Sequence, residues 1–131
     1  MDAHKSSKVV ALVGHCGPDS SYLRMAVSGA APGTRVVMVD SDEALTTAID
    51  EGIDLLMLNR KLDFGFEATD GIELLRQIKS RRPGQKIMMI SNYPEAQEAA
   101  LTEGAVPGFG KREIGSAKVK QLITAALDGE A

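Results

Sequence analysis

Asn59 closes the run Leu55-Leu56-Met57-Leu58, four consecutive apolar residues behind Gly52-Ile53-Asp54. Its side-chain amide is neutral and a poor nucleophile, so a group-transfer site built at this position lacks an attacking carboxylate. Other polar residues stand just past apolar runs: Gly14-His15 after Val13, Ser91 after Ile87–Ile90, and Lys111 after Gly110. His15, Ser91 and Lys111 supply hydrogen-bond donors and positive charge, the chemistry of a small-anion or nucleotide pocket. No glycine-rich phosphate loop of the usual spacing accompanies them. No base–nucleophile pair is visible, so the chain is not expected to be an enzyme. His15-Cys16 with only His4 besides falls short of the ligand count of a structural zinc site, and no metal is expected. Cys16 is read as a buried, inert thiol. Asp19 is not counted as a metal ligand. Asn59 also has a purely structural reading, with its amide satisfying loop backbone, and Lys111 is as readily solvated as bound to an anion.

The elements that position these residues follow from period and punctuation. Lys8 to Val13 and Thr34 to Val39 are β-rich runs. Ile53 to Leu58 and Ile87 to Ile90 are unbroken apolar stretches, the mark of strands covered on both faces. Val106 to Gly110 is a weaker strand, and Pro107 places it at a sheet edge. Between them lie helical patterns. The first is capped by Asp19 or Ser20 and carries Leu23, Ala26, Val27 and Ala30 on one face. The second starts at Ser41 and ends at Gly52. The third is capped by Thr69 or Asp70, with Ile72, Leu75 and Ile78 inward. The fourth carries Ala96, Ala99 and Ala100 and stops at Gly104. The last runs from about Ser116 to Leu127, with Val119, Leu122, Ile123 and Ala126 as its stripe. Met57, Met88 and Met89 are core residues. Five strands alternating with five helices imply a doubly wound α/β fold, a five-stranded parallel sheet with helices on both faces.

Composition is consistent with this. A chain of 131 residues with 44% hydrophobic content is one domain with a real core. Residues 8–127 form that domain, with a flexible tail at 1–7 and a short one at 128–131. A net charge of −3 gives no reason to expect nucleic acid or an anionic membrane as partner. One cysteine, no signal-like start and no apolar run of membrane-spanning length point to a cytoplasmic protein.

In these marks the sequence resembles the receiver domain of two-component response regulators, from about Lys8 to Leu127. The residues that carry the likeness are the run ending at Asn59, Asp70-Gly71 opening the third helix, Ser91, Gly104-Ala105, Phe109 and Lys111. The resemblance implies a flavodoxin-like fold with strand order 2-1-3-4-5. It also implies a site: in the family a phosphorylated aspartate ends the third strand, an acidic pair after the first holds Mg²⁺, a Ser or Thr and a Lys contact the phosphoryl group, and an aromatic reports the switch. Ser91, Lys111 and Phe109 match. Asn59 replaces the acceptor, Gly14 and His15 replace the acidic pair, and Arg112 stands where the family usually has proline.

Two requirements of acyl-phosphate chemistry are therefore missing, the carboxylate nucleophile and the hard anionic Mg²⁺ ligands. Mg²⁺ binding is not expected. The pocket is expected to be neutral or mildly cationic, with Lys111, His15 and Lys61 around Asn59. With the carboxylates gone, two-state switching is expected to weaken. The chain is read as a stand-alone pseudo-receiver acting by phosphorylation-independent contact with a protein partner, or as a homodimer, through the fourth helix, fifth strand and fifth helix. The alternative is a small-anion or nucleotide sensor. Arg60 to Thr69 is longer than the family's usual connection. Phe64 and Phe66 make it a candidate interaction loop or lid, or they fold back onto the domain. Asp63 is a candidate stand-in acceptor, though it sits on a loop and not at a strand end.

Overall fold

The computed structural model describes residues 8–62 and 65–128. The expected tail at 1–7 and the last three residues lie outside these, as do Asp63 and Phe64. The elements alternate without interruption: β1 Val9–Val13, α1 Gly17–Ala30, β2 Arg35–Val39, α2 Asp42–Glu51, β3 Leu55–Asn59, α3 Gly71–Arg81, β4 Ile87–Ile90, α4 Pro94–Thr102, β5 Val106–Phe109 and α5 Ala117–Asp128. A single 3₁₀ turn, Lys111–Glu113, joins the last two. The sheet is parallel throughout, in the order β2-β1-β3-β4-β5, the expected topology.

β3 is central because both of its faces are covered. Leu56 and Leu58 join Ala11, Val13 and Met89 under α2 and α3, where Leu45, Leu74, Leu75 and Ile78 meet them. Leu55 and Met57 join Val10, Leu12, Met88 and Phe109 under α1 and α5, where Leu23, Val27, Val119 and Ile123 meet them. Alternate residues of one strand enter opposite layers, and both layers are apolar, so no alternation appears in the sequence. Leu55 to Leu58 are wholly buried. The three core methionines are buried as expected.

Local signals set the helix ends. Ser41 Oγ accepts from Ala44 N at 3.0 Å and starts α2. Asp70 Oδ1 accepts from Ile72 N at 2.7 Å and starts α3. Gly52, at φ +107°, ends α2 by turning its N–H back to Ala48 and Ile49. α1 departs from expectation: it starts at Gly17, with Cys16 at the N-cap position and no side-chain cap. Pro18 is tolerated in a first turn because its missing N–H has no helical partner there. Asp19 and Ser20 therefore lie inside the helix, and Asp19 is free to turn toward the site. α5 runs to Asp128, one residue past the expected end.

Candidate functional site

The carboxyl ends of β1, β3, β4 and β5 converge, as they must in a parallel sheet, and bring Gly14, Asn59, Ser91 and Lys111 to one edge. Asn59 pairs with Ile90 at the end of the β3–β4 ladder. Its Nδ2 donates to Gly14 O at 3.0 Å and to Lys61 O at 2.9 Å. Both amide protons are committed to backbone, which ties the β1–α1 loop to the β3–α3 loop. Lys61 meets Asn59 through its carbonyl, and its side chain is exposed.

His15 does not join a cationic pocket. It is 6% exposed, and its Nε2 donates to Met57 O at 2.9 Å on β3. A carbonyl only accepts, so Nε2 carries the proton. Burial, opposed by the Met57 bond, pushes the imidazole down to about 4, with the Lys111 charge adding to the fall. His15 is thus neutral at pH 7 and belongs to the floor of the site. Its Nδ1 and the hydroxyl of Ser20 are both buried without a hydrogen-bond partner.

Lys111 is ion-paired. Its ammonium lies 2.7 Å from Asp19 Oδ2, with both side chains less than a third exposed. The Lys111 ammonium, and to a smaller degree the Cys16 thiol, hold the Asp19 carboxyl below its ordinary value. Asp19 was set aside in the sequence because it lies beyond the turn where a metal ligand is expected. No spacing rule joins it to Lys111; the meeting exists because the first turn of α1 and the turn that follows β5 lie together at the carboxyl edge of the sheet. Cys16 is exposed, not buried, since the N-cap position leaves the chain at the surface.

Ser91 is nearly buried, and its Oγ accepts from Tyr93 N at 3.1 Å, shaping the turn into α4. Phe109 is buried in the layer under α1 and α5. Gln97, which the sequence did not mark, donates to the carbonyls of Met89, Ser91 and Phe109 at 2.9, 3.1 and 3.3 Å. Asn92 Oδ1 accepts from Arg112 N at 3.1 Å, which fixes the start of the 3₁₀ turn. The β4 and β5 ends are therefore held by side-chain amides.

The long β3–α3 connection folds back. Leu62 N donates to Thr69 O and Gly71 N to Arg60 O, closing the loop at its base. Asp42, at the start of α2, clamps the far side: its N donates to Gly65 O at 2.7 Å and its Oδ2 accepts from Glu67 N at 2.9 Å. Leu62 and Ala68 are buried and Phe66 is half-buried, all packed on the α2–α3 side. Gly14 sits beneath at φ +75°, and a Cβ there would lie 2.6 Å from Leu62 Cδ2. Leu62 thus occupies the space above the residue that replaces the first acid of the pair. Phe66 is a core-side residue and not an exposed contact. The expectations for Phe64 and Asp63 fall outside the described residues.

The edge therefore presents a neutral amide, a neutral imidazole and a compensated ion pair, covered in part by an aliphatic side chain. Among the described residues, no three of His, Cys, Asp and Glu gather into a cation-binding group.

No family model matches the chain. The transcriptional regulatory protein ResD of Bacillus subtilis is 32% identical over 92 residues, a match that spans 66% of this chain and 36% of that protein. Among solved structures, the non-phosphorylated receiver domain of the stress response regulator RcsB from Escherichia coli superposes with a TM-score of 0.77 at 16% identity, covering 95% of this chain and 96% of that one. The receiver domain of NtrX from Brucella abortus gives 0.66 at 25% identity, covering 92% and 99%.

Proposed function

We propose, for a chain that has the receiver fold of response regulators, that it serves two-component-type signalling by binding a protein partner in the cytoplasm, without taking up a phosphoryl group. The observation that carries this reading is Asn59, whose amide donates to Gly14 O and Lys61 O where an attacking carboxylate would have to stand. An amide so engaged cannot form an acyl phosphate. Gly14 and His15 offer no anionic oxygen for Mg²⁺, and Leu62 fills the space above Gly14. No enzymatic role is assigned.

The alternative, a small-anion or nucleotide sensor, draws less support. Its principal cation, Lys111, is neutralised by Asp19, and His15 is uncharged at pH 7. Among the described residues no helix is long and apolar enough to cross a membrane.

A melting curve with and without Mg²⁺ plus beryllofluoride tests the reading. A ligand at 100 times its Kd raises stability by about 2.7 kcal/mol, which a melt resolves easily. The expected result is no shift. A clear shift would mean that a carboxylate elsewhere, Asp63 first, has assumed the acceptor role.

A further inference from the structure

Exposed apolar surface is concentrated in two places of opposite charge. Among the described residues five large hydrophobic side chains are exposed: Tyr22, Met25, Met38, Tyr93 and Leu101. Met38 lies on the edge strand β2. The other four divide between a groove and a helix.

The groove, about 860 Å³, runs between α1 and the start of α5. Met25 and Tyr22 line it at 68% and 57% exposure, with Ile114 opposite. Gly29, one helical repeat beyond Tyr22, has open space above its Cα, so a second backbone can approach there. Arg112 and Lys120 line it too, and neither is in an ion pair among the described residues. Lys111 and Asp19 cancel at its end.

The helix is α4. Beyond Pro94 at its start, the exposed residues of α4 are Glu95, Glu98, Leu101 and Thr102, which share its outer face by their three- and four-residue spacing. Leu101 is 46% exposed; Tyr93, at the N-cap position, is 53% exposed but carries the Arg60 guanidinium 4.9 Å above its ring, so the free apolar contact of the helix is Leu101. Glu103 is held by Arg76 at 2.9 Å, but Glu95 and Glu98 have no cationic partner among the described residues.

We propose that α4 of one copy docks in the α1–α5 groove of another, joining copies of this chain head to tail. Leu101 enters beside Met25 and Tyr22, while Glu95 and Glu98 face Arg112 and Lys120. The nine residues of α4 span about 14 Å, and the fourteen of α1 span about 21 Å, so the helix fits along the groove. Groove and helix are different surfaces of the chain. The contact is therefore heterologous: each one leaves a free groove at one end and a free α4 at the other, and growth continues unless a ring closes. The proposal stands on the surface alone and is independent of whether the site takes up phosphate.

Sedimentation of the whole chain over a concentration series, up to about 1 mM, reads it out. The wild type should pass beyond a dimer as concentration rises, and retreat toward monomer in high salt because the rim pairs are screened. Met25→Glu blocks the groove with like charge toward α4, and Leu101→Glu places a carboxylate where α4 must be apolar, so the contact that carries both changes brings two carboxylates together and does not form. Both positions are exposed, so circular dichroism should report an unchanged fold. Each variant alone should be a monomer. Their equimolar mixture should form a 1:1 dimer that grows no further, because one supplies the intact helix and the other the intact groove. A wild type that remains monomeric throughout overturns the proposal. So does a wild type that stops at a closed dimer with no pairing of the two variants, which is the behaviour of a twofold interface.

Discussion

The Lys111 ammonium lies 2.7 Å from Asp19 Oδ2 and nowhere else among the described ion pairs. A lysine that in the receiver family would contact a phosphoryl group is here the counter-ion of a carboxylate on α1. Lys111, a partly buried cation of the site, is thus compensated from within, and an anion drawn to it must compete with a carboxylate held in place.

Removing that competitor should change what the site binds. In Asp19→Asn, Lys111 loses its counter-charge, and phosphate or sulfate at constant ionic strength should raise the melting temperature of the variant and leave the wild type unmoved. The substitution itself should cost less than about 1 kcal/mol, since the pair is partly exposed and such pairs contribute little. Because Lys111 lowers the Asp19 carboxyl, that contribution is present above the ordinary aspartate value and lost as pH falls below it. An anion effect equal in both proteins would show that Lys111 is not the determinant.

His15 makes stability depend on pH in a separate window. Its folded-state value, about 4, lies below the ordinary 6.5, so between these the unfolded chain binds more protons than the folded one. Stability should be full above about pH 6.5 and fall by roughly 3 kcal/mol as pH drops toward 4. His15→Gln removes the titrating group. Urea midpoints against pH should then lose this component between wild type and variant, and parallel curves would contradict the assignment.

Asn59→Asp should not restore a receiver site by itself. A carboxylate cannot donate to Gly14 O and Lys61 O and would face two carbonyl oxygens in place of two hydrogen bonds. A loss of roughly 1–3 kcal/mol at pH 7 is expected. The unfavourable contact raises the new carboxyl, so the loss should shrink as pH falls and the group protonates. Chemical denaturation at pH 7 and pH 5 checks both signs; equal stability of wild type and variant at pH 7 would mean that the two carbonyls find other donors.

Gly14 and Leu62 should be energetically coupled. Gly14→Ala forces a Cβ into a positive-φ position and against Leu62 Cδ2, costing more than about 1 kcal/mol. Leu62→Ala empties a buried site and should cost about 2–4 kcal/mol. In the double variant the clash is gone, so the two losses should sum to less than their parts by at least about 0.5 kcal/mol. Strict additivity in a double-mutant cycle would place Leu62 away from Gly14 in solution.

Much of this molecule was legible in residue order. The unbroken runs at Leu55–Leu58 and Ile87–Ile90 could only be strands covered on both faces, and their alternation with the stripes at Leu75–Ile78 and Val119–Ile123 dictated a parallel α/β sheet. The absence of a carboxylate at Asn59 was equally plain, because it is a matter of residue type. What Asn59, His15 and Lys111 touch was not legible. The start of α1 shifted when Pro18 proved compatible with a first turn, and that shift exposed Cys16 and aimed Asp19 at Lys111. Leu62 and Phe66 could have faced solvent until Asp42 pulled their loop down over Gly14. Periodicity and punctuation act between neighbours in the chain, so sequence determined the elements and the chemical types at the sheet edge. The partners of those groups come from elements far apart in the chain, and only packing of the helices on the sheet decided them.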